Sequence, residues 1–168
     1  MARVDLTVHE MLICQTLGAL RRSSAMGNVK DEQMGDQSPW NIDVDGVIGE
    51  MCVAKHFNVF PDMSVGIRKG GADLIIKNKS IDVKTTRIKS GRLLSTLKKI
   101  EDPCDIYMLV IVDDKGGDIV GWIRKEKLFL PENIADLGHG KGYVLKQEQL
   151  NKIIRRNNEN NPIQQRQD

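Results

Sequence analysis

Aromatic side chains are scarce in this chain. Its 168 residues hold two Trp, two Tyr and three Phe. Trp40 and Trp122 are not spaced as a platform for stacking bases, so both are read as packing residues. Cysteine is scarce too. Cys14, Cys52 and Cys104 are odd in number and isolated. That argues against a disulfide framework and a zinc site, and for reduced core thiols in a cytoplasmic protein. His9, His56 and His139 show no metal-ligand spacing. No segment approaches the length of a membrane span, and the longest apolar run, 107–112, fits a buried strand. The first residues lack the basic, apolar, small-residue order of a signal peptide. No Ser-His-Asp or Cys-His arrangement is evident. Gly138-His139-Gly140-Lys141-Gly142 lacks the Lys-Ser/Thr ending of a phosphate loop and reads as a turn.

What remains is a globular composition, with 40% apolar and 29% charged residues. The length suits one domain with a real core. Net charge is only +2, but it is unevenly placed. Residues 66–99 carry ten Lys or Arg against two acids, Asp73 and Asp82. That segment is therefore +8 and the remainder −6. A basic stretch around two lone carboxylates points to a polyanionic partner.

Pattern and punctuation predict one domain over residues 1–156. A capping box, Thr7-Val8-His9-Glu10, opens a helix within 5–22, with Val8, Met11, Leu12, Leu17 and Leu20 facing inward. Residues 23–42 read as a loop. The expected core, 43–123, starts with a second helix ending near Phe57. A hairpin over 72–76 and 81–86 follows, then a short basic helix over 90–100. Its last expected strands are 105–112, buried on both faces, and 118–123. Residues 124–156 should supply a small strand at 142–145 and a final helix from Gln147. The Asn- and Gln-rich residues 157–168 read as a disordered tail. Helices flanking a strand cluster give an α/β fold around one mixed sheet of four to five strands.

The hairpin holds the chemistry. Leu74, Ile76, Ile81 and Val83 make one apolar face, and Asp73, Asp82 and Lys84 lie on the other. A two-residue turn over Asn78-Lys79 would set Ile76 opposite Ile81 and Asp73 opposite Lys84. An odd-length turn would separate Asp73 from its partners. Two neighbouring carboxylates repel unless a cation sits between them. Hard oxygen ligands of this kind suit Mg²⁺, with Mn²⁺ as a substitute. Lys84 beside them could orient or deprotonate a water, or stabilise charge on a phosphate oxygen. On the second helix Val47, Glu50, Ala54 and Phe57 form one stripe, which sets Glu50 among apolar neighbours where a carboxylate wants a partner.

Glu50 on a helix, Asp73 on one strand and Asp82-Val83-Lys84 on the next resemble the signature of the PD-(D/E)XK, or restriction-endonuclease-like, nuclease superfamily. The match spans about 43–123, and its weight lies in the order and placement of all four residues. Asp-x-Lys alone recurs at Asp113-Asp114-Lys115, which runs into a Gly-Gly turn. Ala72 stands where the family usually has Pro, and Asp82 where Glu is common. The resemblance implies a restriction-endonuclease-like core and a Mg²⁺-dependent deoxyribonuclease. Asp73 and Asp82 would be metal ligands, with the Val83 carbonyl and Glu50 as further ligands and Lys84 as the catalytic lysine. Thr86 falls where the family often has a polar residue. Arg68, Lys69, Arg87, Lys89 and Arg92 would hold the DNA backbone. Cutting two strands would favour a homodimer. Through "GVIGEMCVAK", "GGAD", "VKTTR" and "VGWI", the chain is also similar to small proteins encoded by phages and prophages. The competing expectations are a nucleic-acid-binding or phage accessory protein that keeps the fold without cleaving, and a structural protein whose charges are merely solvated.

Overall fold

Thr7 and Glu10 cap each other as the capping box requires. The Glu10 N–H donates to Thr7 Oγ1 at 3.2 Å, and the Thr7 N–H donates to Glu10 Oε2 at 2.6 Å. The computed structural model describes residues 1–25, 38–66, 71–136, 138 and 140–153. A strand absent from the expectations, β1 (Ala2–Asp5), precedes the capped helix α1 (Val8–Ala25). Helix α2 (Pro39–Phe57) starts earlier than expected, capped by Ser38 Oγ, which accepts from the Asn41 N–H at 3.3 Å. Then come β2 (Leu74–Ile76), β3 (Lys79–Thr86), β4 (Leu93–Thr96), β5 (Ile106–Asp113) and β6 (Gly116–Arg124). A short α3 (Lys125–Leu128), β7 (Ile134–Asp136) and β8 (Lys141–Leu145) complete the order.

The main sheet is mixed and five-stranded, in the order β1-β6-β5-β3-β2, with β3 and β5 parallel. A second, antiparallel sheet has the order β4-β8-β7. The expected α/β class, a mixed sheet flanked by helices, is the observed one. Strand β5 is buried on both faces, as its apolar run predicted. Met108, Val110 and Val112 join a core with α1 and α2. Tyr107, Leu109 and Ile111 join a second core with Leu93, Leu128, Tyr143 and Leu145. Edge-to-face rings, Tyr107 on Phe129 and Phe129 on Tyr143, thicken this second core. All three cysteines are free and buried.

Several expectations are corrected. The inward face of α1 is Cys14, Leu17 and Gly18, whereas Val8 is 82% exposed and Leu12 and Leu20 are also exposed. Close packing decides this. A Cβ on Gly18 would stand 2.7 Å from Val44 Cα, so α1 turns its small residues towards α2. The second helix uses the same device against the sheet, where a Cβ on Gly49 would stand 2.3 Å from Thr85 Cγ2. The predicted basic helix at 90–100 is instead β4 followed by a 3-10 turn, Leu97–Glu101. Leu93, Leu94, Leu97 and Ile100 have helical spacing, but pairing of Leu93 with Leu145 and Ser95 with Tyr143 overrides it. The final helix is not formed over 147–153. A 3-10 turn, Gln147–Gln149, leads into a bridge between Trp122 and Asn151, because the Asn151 N–H donates to the Trp122 carbonyl at 2.8 Å. Trp40 is half exposed rather than packed. The expected tail, 157–168, lies outside the described residues.

Candidate active site at the end of the hairpin

The β2–β3 turn is Lys77-Asn78, both left-handed with φ of 50° and 60°. Two successive left-handed residues match the right-handed twist of a two-residue hairpin. The turn is one residue earlier than Asn78-Lys79. Leu74 therefore pairs with Ile81 and Ile76 with Lys79. Continuing that register sets Asp73 opposite Asp82 rather than Lys84. The loop length is even in both registers, so the faces are kept and the odd-turn alternative is removed.

Paired β2 ends at Leu74, leaving the β3 edge beyond Ile81 to the residues before it. Asp73 fills this place. Its N–H donates to the Ile81 carbonyl at 2.8 Å, and its Oδ2 accepts from the Val83 N–H at 2.7 Å. The carboxylate is thereby fixed along the strand edge, between the two faces of the sheet. Val83 packs its side chain towards Gly49 of α2. Asp82 faces the other way and lies across from Tyr107 in the parallel register. Glu50 comes from α2, and its charge and that of Asp82 both act on Asp73. Burial, then the negative charges of Glu50 and Asp82, push the Asp73 carboxyl up to about 7. The Val83 N–H and the Lys84 ammonium oppose that rise and do not cancel it.

Each flanking acid has cationic company. Glu50 is 7% exposed, and its Oε2 accepts from Arg21 Nη1 at 2.9 Å. Arg21 also donates to the carbonyls of Asp62 at 2.6 Å and Ser64 at 3.2 Å. Asp82 is 2% exposed. Its Oδ1 pairs with Lys84 Nζ, yet this buried oxygen makes no hydrogen bond of sound geometry. Its Oδ2 lies 3.3 Å from Lys99 Nζ. Lys84 Nζ also stands 5.9 Å from the Tyr107 ring centre, within cation–π range. Arg21 and Lys99 were not singled out in the sequence. Helix phase could have placed Arg21 near Glu50, but no local signal brings Lys99 to Asp82.

The remaining expected residues divide. Arg87 is a structural clamp: Nε and Nη2 donate to the buried Asp45, with Nη2 at 2.8 Å from Oδ1, and Nη1 donates to Asp114 at 2.8 Å. Thr86 Oγ1 accepts from the Ile88 N–H at 3.2 Å, shaping the exit from β3. Lys89 and Arg92 are exposed in the following turn. Arg68 and Lys69 lie outside the described residues. Asp113 ends β5 and Asp114-Lys115 make the turn, so Gly116 and Gly117 open β6 instead of forming the expected Gly-Gly turn; Asp113 is held by two hydrogen bonds from Arg3. In the glycine-rich 138–142 segment the N–H groups of Gly138 and Gly140 donate to Asp136 Oδ1, and Lys141 and Gly142 open β8; His139 lies outside the described residues.

The site offers carboxylates without thiolate or imidazole, a donor set that fits a hard divalent cation. The poorly satisfied Asp82 oxygen and the uplifted Asp73 are two groups that such an ion would relieve. Among the described residues no group of three or more His, Cys, Asp or Glu side chains is arranged to hold an ion; the acids are turned towards ammonium, guanidinium and N–H partners. No helix among those residues is long and apolar enough to cross a membrane. No family model, no curated protein and no solved structure matches the chain.

Proposed function

We propose that the chain is a Mg²⁺- or Mn²⁺-dependent nuclease of the PD-(D/E)XK type that hydrolyses DNA phosphodiester bonds. One observation carries this reading: Asp73 is a part-buried carboxyl, bonded to the Val83 N–H and crowded by the buried Glu50 and Asp82. Neighbouring buried acids raise one another's energy, and a fold has no packing reason to gather them. Asp73 and Asp82 would hold the ion, with Glu50 and the Val83 carbonyl as further ligands. When bound, the ion supplies Lewis acidity at a phosphate oxygen.

The chain's own groups do the rest. Lys84, beside Asp82, orients the attacking water or meets charge growing on phosphate oxygen. The Val83 N–H holds Asp73 in place. Lys89 and Arg92, with Arg68 and Lys69, contact the DNA backbone, and Thr86 sits at the end of the strand that leads to them. Such contacts are salt-sensitive and carry little sequence information, so the reading favours DNA structures or ends over stringent sequence specificity. Arg87, engaged by Asp45 and Asp114, fixes the end of β3. Pairing two such chains would bring one site to each strand.

A second reading, a nucleic-acid-binding protein that keeps the fold without cleaving, draws on one observation. Lys84 and Lys99 neutralise Asp82, and Arg21 neutralises Glu50, without a metal. The test is a Mg²⁺ and Mn²⁺ titration against linear, nicked, flapped and four-way-junction DNA. Asp82→Ala and Lys84→Ala are the controls. Cutting that needs the ion and disappears in both variants supports the nuclease. Equal cutting by all three proteins marks a contaminant and removes the proposal, and DNA binding without cutting selects the second reading.

A further inference from the structure

Lys99 belongs to no motif, yet it reaches the most buried acid of the site. It lies on the 3-10 turn Leu97–Glu101, far from Asp82 in sequence. Its Nζ is 3.3 Å from Asp82 Oδ2 and donates to Asp102 Oδ2 at 2.6 Å. The turn that carries it is pinned. The hydroxyl of the buried Tyr107 donates to the Lys99 carbonyl at 3.3 Å. The Lys125 ammonium donates to the Asp102 carbonyl at 2.6 Å. Its backbone is thus held on both sides, unlike that of a freely solvated surface lysine.

Exposure sets the order in which a ligand meets these groups. The Asp82 side chain is 3% exposed, whereas those of Lys84 and Lys99 are 25% and 32% exposed. An anion arriving from solvent therefore encounters the ammonium groups before the carboxylate. An ammonium has three donors. Two directions of Lys99 go to Asp82 and Asp102, and one remains. A divalent ion seated on Asp82 would also compete for the oxygen that Lys99 now faces.

We infer that Lys99 is a second phosphate-contacting ammonium of the site, resting on Asp82 until a DNA phosphate takes its place. This rests on the nuclease reading and adds a substrate contact that the sequence pattern does not contain. Lys84 and Lys99 then approach the phosphate from separate elements, strand β3 and the 3-10 turn, and so fix its position as well as its charge.

The experiment uses the full chain in Ca²⁺, an oxygen-liganded ion offered in place of Mg²⁺, with a fluorescent DNA duplex. Binding of wild type, Lys99→Gln and Lys99→Arg is followed by anisotropy across a salt series, and ion binding by calorimetry. The expected result for Lys99→Gln is a loss of DNA affinity of about five- to tenfold and a salt slope shallower by about one. Lys99→Arg, which keeps the charge, should recover most of the affinity, and ion binding should persist in both. If Lys99→Gln lowers the melting temperature but binds DNA with wild-type affinity and slope, Lys99 is only a structural counter-ion and the inference is overturned. Loss of ion binding in Lys99→Gln overturns it too. Wild type that takes up the ion but binds no DNA instead brings down the nuclease reading, and this inference with it.

Discussion

Replacing Asp73 with Asn tests whether the acids at the hairpin end strain the ion-free protein. Asn keeps an oxygen for the Val83 N–H and removes the charge. A carboxyl pushed above its ordinary value binds its proton more tightly in the native state than in the unfolded chain. Its stabilising share is complete below about pH 4 and is lost as the pH rises to about 7. One pKa unit is worth about 1.4 kcal/mol, so a displacement from 3.8 to about 7 has a ceiling of about 4 kcal/mol. Relaxation and the sharing of charge with Asp82 reduce that, and a neutral acceptor weakens the Val83 bond by about 1 kcal/mol. The net expectation is that Asp73→Asn is more stable than wild type by about 2 kcal/mol near pH 8, or about 5 °C in melting temperature. Near pH 5 the two proteins should nearly coincide. Urea melts in a chelator at both pH values measure this. Excess Mg²⁺ should reverse the order near pH 8, since an ion at about 100 times its Kd adds about 2.7 kcal/mol to the protein that binds it. A variant that is less stable than wild type near pH 8, or a difference independent of pH, would refute the crowding argument.

Arg87→Ala should leave the buried Asp45 without its clamp and cost about 2 kcal/mol in a urea melt. That is less than for a fully enclosed pair, because the Arg87 side chain is 42% exposed; Arg87→Lys, lacking the fork, should rescue it only partly. Gly49→Ala should cost about 1–3 kcal/mol by pushing α2 off Thr85, with Thr85→Ser in the same chain restoring much of it. Arg21→Ala should destabilise by about 2–3 kcal/mol because Glu50 stays buried without its guanidinium, and Arg21→Ala/Glu50→Gln should recover most of that loss. The thiols of Cys14, Cys52 and Cys104, pushed up by burial to about 11, 12 and 11, should react slowly with a disulfide reagent in the native protein. All three should react at once in denaturant, and fast labelling of the folded chain would contradict their burial.

The apolar and polar alternation of 73–84 made the hairpin legible, and with it the faces of Asp82 and Lys84, because strand parity survives a shift of the turn. The turn itself was not legible. Lys77-Asn78 and Asn78-Lys79 both suit a tight hairpin, and the choice moved Asp73 from Lys84 to Asp82. Helix α1 was found but its phase only in part: Leu17 is buried and Met11 packs on the core as expected, while Gly18 and Cys14 win the interface by being small and Val8 and Leu12, with the stronger hydrophobic signal, are exposed. The segment 93–100 misled for a related reason: its leucines have helical spacing, and only the distant β8 shows that Leu93 and Ser95 point inward. Lys99 escaped because a long cationic side chain finds its acid through tertiary folding, which leaves no local period, whereas Arg21 follows Leu17 and Gly18 at helical spacing and was legible once the phase of α1 was set by those small residues.

Strand β5, like its neighbour β6, contributes to both cores. Neither half can melt alone without exposing one side of it, so heat or denaturant should dissolve the described fold as a single cooperative unit. Asp82 pairs with this strand, and amide hydrogens there should be among the last to exchange with solvent. The acids beside it are thus reached by motions of side chains, not by fraying of the backbone that carries them.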